Sequence, residues 1–355
     1  TKRLRGNYKL AGTFTHWMIV EEALDKFNKL PDKHPYFPII LGNNHFVILG
    51  SVGPDYPYLS ELKNNLLKLH SWADRMHYEN TGEFIKYGLV NLLKLKEQNK
   101  QQDFEICLSW LCGYVTHLLA DSVIHPVVNE IVGPYLFNSG EHRHCEMIQD
   151  SYIFHEIKNV ELRYAAPDDE GYVGLIKMCS DSEDEDHINP AIRDFWTETL
   201  RMSHPGGRDK FDKIDPDDWH KNFLSMINKA TEPLPVFRHI GLKRGLRYNI
   251  NRMGLINGLV YTIRHVGQRI NLVYKKLSEI TPDERKKFIE AINLPGNRTG
   301  RFREDAFDKA VDKVIEVWQK LFIDIEQKNP ENCMTYIKDW NLDTGVDEDE
   351  IYFWA

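Results

Sequence analysis

The sequence predicts an all-α protein, a multi-helix bundle with an additional helical region in its second half. Apolar residues recur every three or four positions along most of the chain, which places them on one face of a helix. Alternation of apolar and polar residues, which is typical of strands, is scarce. The 355 residues are 42% hydrophobic and 28% charged. This composition indicates a packed globular protein and argues against long disorder, a collagen-like repeat or a coiled coil.

About nine or ten helices are expected from this spacing. The apolar stripes are clearest at residues 58–76, 84–95, 104–124, 253–277 and 306–327. The run Thr281-Pro282-Asp283-Glu284 combines an N-cap, a proline at the first helical position and a capping box, so a helix begins there. Loops are predicted where Gly, Pro or acidic residues cluster, at residues 50–57, 168–174, 181–186, 204–207 and 294–300.

Charge and hydropathy limit the classes of partner. The net charge is −8, so the generally basic surface that drives nucleic-acid binding is absent. Local basic clusters occur around Lys243 to Arg252 and at Arg298 to Arg303, and helix ends and loops explain them more simply. The most apolar stretch, residues 106–120, is shorter than the roughly 20 residues of a membrane span and predicts a buried helix.

The cysteines and the start of the chain bear on location. Five cysteines lie along the chain without CxxC spacing, so neither a disulfide framework nor a cysteine zinc knuckle is indicated. This pattern slightly favours a reducing, cytoplasmic location. No signal peptide opens the chain, but the chain begins at Thr1 rather than at a methionine, so the location stays open.

The most informative segment holds His117, Asp121 and His125. Their spacing of four residues places all three on one helix face, among leucines, valines and isoleucines. Burying two imidazoles and a carboxylate there costs several kcal/mol unless each has a partner, and metal ions would satisfy all three. The two histidine backbones would lie about 12 Å apart along the helix, too far to share one ion comfortably. A metal site here would therefore hold more than one ion, with Asp121 in the middle.

Other candidate ligands are individually weaker. His142 and Glu146 are also four residues apart, as in many zinc sites, but such a pair is common on ordinary helices. His16, Asp55 and His77 are each unremarkable alone, because a histidine near a helix start usually bonds water or backbone and an aspartate after proline is usually a turn residue.

The order of these motifs resembles the zinc-dependent phospholipase C family. The sequence has Thr15-His16-Trp-Met-Ile19, then Gly53-Pro54-Asp55, His77-Tyr-Glu-Asn-Thr81, the HxxxDxxxHP run from His117 and the HxxxE run from His142. The His-x-x-x-Asp-x-x-x-His spacing looks most like the catalytic domain of glycosylphosphatidylinositol-specific phospholipase D. The superfamily also includes the fungal single-strand nucleases. The resemblance covers about residues 13–157, and residues 302–322 and 341–345 show a weaker similarity to the family.

The resemblance implies three zinc sites. Asp55, His77, His117 and Asp121 would hold one ion. Asp121 would bridge to a second ion that is also held by His16. His125, His142 and Glu146 would hold a third. Two or three zinc ions per chain are therefore expected, although iron and manganese use the same ligand types. Asp55 is the candidate catalytic residue, because it would orient or deprotonate the attacking water.

The implied function is a metal-dependent hydrolase, a zinc-dependent phosphodiesterase that acts on a phospholipid or a related head-group phosphodiester through a metal-activated water. One alternative is a single-strand nuclease or 3'-nucleotidase-like hydrolase. Another is a different reaction class on the same site, such as a phosphomonoesterase or an iron oxidase. The Glu-x-x-His pairs that di-iron bundles use are not found.

The partners and organisation follow from this function. The expected partner is a phosphodiester, with a lipid and transient membrane contact as one option and nucleic acid less favoured, and no protein partner is implied. Candidate lipid contacts are Tyr56, Tyr58, Tyr352, Phe353 and Trp354, with core packing as the alternative. A single helical domain is expected over residues 1–355. Within it, residues 10–160 would carry the metal-site core, residues 160–300 an extra helical region, and residues 301–345 a closing helix and tail.

Overall fold

The computed structural model describes residues 12–58, 72–162, 171–205, 213–229 and 274–354. The helices within these ranges are α1 (Thr13–Asn28), α2 (Phe37–Gly42), α3 (Asn44–Gly50), α4 (Trp72–Tyr78), α5 (Thr81–Glu97), α6 (Gln101–Val132), α7 (Tyr135–Lys158), α8 (Tyr172–Lys177), α9 (Pro190–Ser203), α10 (Pro216–Lys229), α11 (Pro282–Arg285) and α12 (Asp308–Gln327). The all-α prediction is confirmed, since the two short strands described next are the strands found in these ranges.

Most predicted helices are present. The predictions at residues 84–95 and 104–124 fall within α5 and α6, and the capping box of Thr281 begins α11 as expected. The last helix starts at Asp308, after a π-helical turn over residues 302–307. Residues 72–76 of the helix predicted from residue 58 lie in α4, and residues 59–71 lie outside the described residues. The helix predicted at residues 253–277 lies outside them up to residue 273, and residues 274–276 have no regular structure.

Two predicted loops were partly wrong. Residues 172–174 of the loop predicted at residues 168–174 lie in α8. Residues 294–300 belong to an antiparallel hairpin of β1 (Ile292–Leu294) and β2 (Arg298–Gly300), with Asn293 opposite Thr299. The turn between the strands has positive φ at Gly296 and Asn297, which those residue types tolerate well. Strands of three residues are too short for an alternating pattern to appear in the sequence.

Helix α6 is the centre of the fold. It packs against α1, α2, α3, α5, α7, α9 and α12. Residues 106–128 are all buried, which confirms the buried helix predicted at residues 106–120 and agrees with its apolar residues on every side. By length and composition α6 could cross a membrane, but its most apolar window is entirely buried inside the protein, as in a core helix.

Helices α3 and α6 cross with their backbones in direct contact. A Cβ atom added to Gly113 would lie 2.1 Å from the carbonyl oxygen of Val47, and one added to Gly50 would lie 2.1 Å from that of Trp110. Only glycine permits this approach. The crossing brings the carbonyl of Ser51 to within 2.9 Å of His117 Nδ1. The packing of α3 on α6 thus orients a candidate metal ligand.

We expect Gly113→Ala to lower the free energy of unfolding by about 2 kcal/mol or more, because the added methyl group forces the two backbones apart. Gly42→Ala is the matched control, since nothing lies within 4 Å of its Cβ position at the end of α2. Urea unfolding of both variants measures the difference. Equal stability of the two variants would contradict the close crossing.

Candidate metal centre

Six of the predicted ligands converge at the middle of α6. His16 comes from α1, Asp55 from a 3₁₀ turn over residues 53–55, His77 from α4, and His117, Asp121 and His125 from α6. The side chains of the histidines and of Asp121 have no exposed surface, and that of Asp55 is 7% exposed. Three elements and one turn therefore enclose the cluster.

The carboxylate of Asp121 lies between four imidazoles. Its Oδ2 is 3.2 Å from His117 Nε2 and 3.7 Å from His77 Nε2. Its Oδ1 is 3.2 Å from His16 Nε2 and 3.5 Å from His125 Nε2. Each oxygen thus faces a separate pair of histidines, so this carboxylate could be shared between two metal ions. The two histidines of α6, His117 and His125, lie next to different oxygens of Asp121, as their spacing predicts.

Asp55 is a further side chain of this cluster, and it lies beside His77. Its Oδ1 lies 3.3 Å from His77 Nε2, and His77 Nε2 lies 3.3 Å from His117 Nε2. Two sets of ligand atoms lie within 4.8 Å of one another in the described part of the chain: His16, Asp55 and His117, and His77, His117 and Asp121. The two sets share His117, so one compact pocket holds all five side chains.

Backbone carbonyls fix how three of the histidines face the pocket. His77 Nδ1 donates to the carbonyl of Ala73 at 2.7 Å, His117 Nδ1 to that of Ser51 at 2.9 Å, and His125 Nδ1 to that of Leu342 at 3.0 Å. A carbonyl only accepts hydrogen bonds, so each Nδ1 must carry the proton. Each Nε2 is then directed at Asp121, in the orientation that metal-binding histidines adopt.

The cluster fits a divalent metal because its polar atoms lack hydrogen-bond partners. Among the described residues, both oxygens of Asp121, both oxygens of Asp55 and both ring nitrogens of His16 make no hydrogen bond. Burying carboxylates without such bonds costs several kcal/mol. A cation between them would satisfy these atoms together, and His and carboxylate donors suit zinc.

Electrostatics balance the charges in the protein without metal. Burial opposes ionisation of Asp121, but the imidazoles of His125, His117 and His16 outweigh it and hold the pKa of the carboxyl well below its usual value. Burial also opposes the charged form of His77, yet Asp55 and Asp121 raise its pKa to about 9. His77 therefore carries a proton at neutral pH when no metal is bound.

The predicted third site lies on α7. His142 and Glu146 are buried one turn apart, outside the two sets above. His142 Nε2 donates to the carbonyl of Gly133, so Nδ1 is the nitrogen that would coordinate a metal. Glu146 Oε2 lies 3.4 Å from the buried Arg143 Nη1. The assignment of these two residues and His125 to a third ion stays a prediction.

Sequence reasoning missed Asp150. Its Oδ1 accepts hydrogen bonds from Thr15 N at 2.8 Å and Thr15 Oγ1 at 2.7 Å, and so holds the start of α1 beside His16. A Cβ atom on Gly12 would fall 2.0 Å from this carboxylate, which explains the glycine there. The signal was available, because Asp150 continues the four-residue spacing from His142 and Glu146.

We expect Asp121→Asn to lower the zinc content sharply from about two or three ions per chain, because an amide loses the charge that bridges the two histidine pairs. Elemental analysis of the purified protein measures this. Asp324→Asn is the control, since Asp324 is a buried carboxylate that bonds Asn332 and Tyr336 instead. Unchanged zinc in Asp121→Asn would exclude the bridging role.

We also expect zinc to displace protons from the metal-free protein, because zinc requires neutral imidazole and His77 is protonated below pH about 9. Apparent zinc affinity should therefore rise with pH and level off above that value. Calorimetric titration in buffers of different ionisation enthalpy measures about one proton or more released per chain at pH about 7.5. Zinc binding without proton release would contradict the charge balance described above.

Comparison with known proteins identifies the family. A family model described as "Zinc dependent phospholipase C" matches residues 15–206, which is more than half of the chain. No curated protein and no solved structure matches the chain. The matched region contains every ligand in the pocket. The chain therefore belongs to the zinc-dependent phospholipase C family and is a zinc-dependent phosphodiester hydrolase.

Proposed function

We propose that this hydrolase cleaves the head-group phosphodiester of a phospholipid. The observation that carries the proposal is the bridging arrangement of Asp121, which suits two neighbouring ions. Closely spaced divalent ions generate a hydroxide nucleophile near neutral pH and neutralise charge on the phosphoryl and leaving oxygens. No covalent nucleophile from the protein is then needed.

The residues of the pocket would divide the work as follows. His16, His77, His117 and Asp121 would hold the ions, and their complete burial excludes bulk water from that side. Asp55 has the one partly exposed side chain among the five described ligands of the pocket. Its Oδ1 lies 3.3 Å from His77 Nε2, so the carboxylate is close enough to a metal held there to orient or deprotonate the attacking water. His125, His142 and Glu146 would hold a further ion.

The alternative function, hydrolysis of single-stranded nucleic acid, has less support. The basic cluster at residues 243–252 lies outside the described residues. In the second cluster, Arg301 pairs with Glu304, and Arg303 pairs with Glu22. Arg298 lies over the ring of Trp354. These arginines are committed to intramolecular contacts, and nothing in the described pocket favours a phosphomonoesterase or an iron oxidase over a phosphodiesterase.

Contact with a membrane remains a proposal. Tyr56 and Tyr58 are fully buried and Trp354 is 7% exposed, so core packing was the correct alternative for these three residues. Tyr352 and Phe353 are half-buried.

All five cysteines are buried free thiols, which supports the proposed reducing, cytoplasmic location.

We expect the zinc-loaded protein to hydrolyse phosphatidylcholine or a glycosylated phosphatidylinositol in mixed micelles. Release of diacylglycerol indicates C-type cleavage and release of phosphatidate indicates D-type cleavage. Asp55→Asn should lower kcat by about 100-fold or more, because the carboxylate no longer acts on the water.

Asp103→Asn is the control for this assay, since Asp103 lies in the first turn of α6 and is 40% exposed. The phospholipid substrate would be excluded if the loaded protein cleaved single-stranded nucleic acid or a soluble phosphodiester and left both lipids intact. Full activity of Asp55→Asn would exclude the catalytic role of that residue.

A further inference from the structure

A loop near the C-terminus reaches the metal pocket from outside the region that the family model matches. The C-terminal loop (residues 341–346) begins and ends at a bridge between Asn341 and Val346. The matched region ends at residue 206, so this segment lies more than a hundred residues beyond it. Its contacts with the pocket are made by Leu342, Asp343 and Gly345.

Leu342 contacts two ligand-bearing helices through its backbone. Its N–H donates to the carbonyl of His77 at 3.0 Å, and its carbonyl accepts from His125 Nδ1 at 3.0 Å. One residue thus links the end of α4 to the second half of α6. This link connects the backbone of one predicted ligand, His77, to the ring of another, His125.

Asp343 places a negative charge behind the ring of His125. Its Oδ1 lies 3.7 Å from His125 Nδ1, and its Oδ2 accepts from Tyr78 Oη at 3.1 Å. Its carbonyl accepts from Asn129 Nδ2 at 2.7 Å. The residue is 9% exposed, so water screens this charge weakly. Asp343 is thus held by α4 through its carboxylate and by α6 through its backbone carbonyl.

Gly345 allows the loop to approach α6 closely. Its φ is +64°, and a Cβ atom there would lie 2.7 Å from the carbonyl of Ser122. That carbonyl would normally accept from the N–H four residues later, but this position is Pro126, which has none. The loop therefore lies against the point where α6 lacks a backbone hydrogen bond, directly beside His125.

We propose that Asp343 is a positioning residue of the metal centre. With the Leu342 carbonyl it keeps the proton on His125 Nδ1, orients the ring and makes Nε2 a stronger ligand on the inner side. The proposal rests on the proposed role of His125 as a zinc ligand. Carboxylates placed behind metal-binding histidines act in this way in general, and their loss typically costs about 10- to 100-fold in metal affinity.

The test is Asp343→Asn, which keeps the shape and removes the charge. We expect the zinc-loaded variant to lose zinc to a competing chelator at a concentration about 10- to 100-fold lower than the wild type. The visible spectrum of the cobalt-substituted protein should also change. Tyr78→Phe, which releases the carboxylate but keeps its charge, should show a smaller effect. Asp349→Asn is the control, because it removes an exposed charge from the same tail.

Two results would overturn the proposal. One is wild-type zinc retention and an unchanged cobalt spectrum in Asp343→Asn. The other is a fall in thermal stability in excess chelator that accounts for the lost affinity, since that indicates a structural role alone. Failure of the proposed function can be told apart from failure of this proposal. If the wild type binds zinc but does not cleave phospholipids, zinc retention can still be compared between the wild type and Asp343→Asn.

Discussion

The rest of the structure depends on one ionised carboxylate held at the centre of an apolar helix. Asp121 has no exposed surface, yet burial alone would favour its neutral form. Four imidazoles offset that cost, and they come from three different helices. A buried charge of this kind is tolerated only where its partners are held accurately. The fold can therefore be understood as the means by which α1, α4 and α6 are fixed around this group.

The fixing is done mainly by backbone contacts. Glycines at positions 50 and 113 let α3 and α6 touch, which brings the Ser51 carbonyl to His117. The Leu342 carbonyl does the same for His125 from the C-terminal loop. Such contacts orient imidazole rings through main-chain geometry, so they can be supplied by any residue type. The ligands lie early in the chain, whereas part of what orients them lies at its end.

This division explains what the sequence could and could not predict. The apolar run around α6 predicts burial, and four-residue spacing places His117, Asp121 and His125 on one face, so the position of Asp121 between the two histidines followed from helix geometry. No sequence pattern identifies the carbonyls of Ser51 and Leu342 as contacts of the histidines, because every residue has a carbonyl. The hairpin at residues 292–300 was missed because its strands are too short for periodicity. Asp150 could have been predicted, because it lies four residues after Glu146, just as Glu146 lies four residues after His142.

Protonation of imidazole offsets carboxylate charge in the metal-free pocket, and this explains how such polar groups stay buried there. Two carboxylates, Asp55 and Asp121, face histidines whose pKa values are raised: that of His16 by Asp121 against the effect of burial, and that of His77 to about 9. The proton on His77 offsets part of the carboxylate charge when the ions are absent, and divalent ions displace that proton when they bind. The same carboxylates thus attract protons or zinc to one position. A positive charge therefore faces Asp55 and Asp121 in both states, on protonated imidazole or on divalent ions.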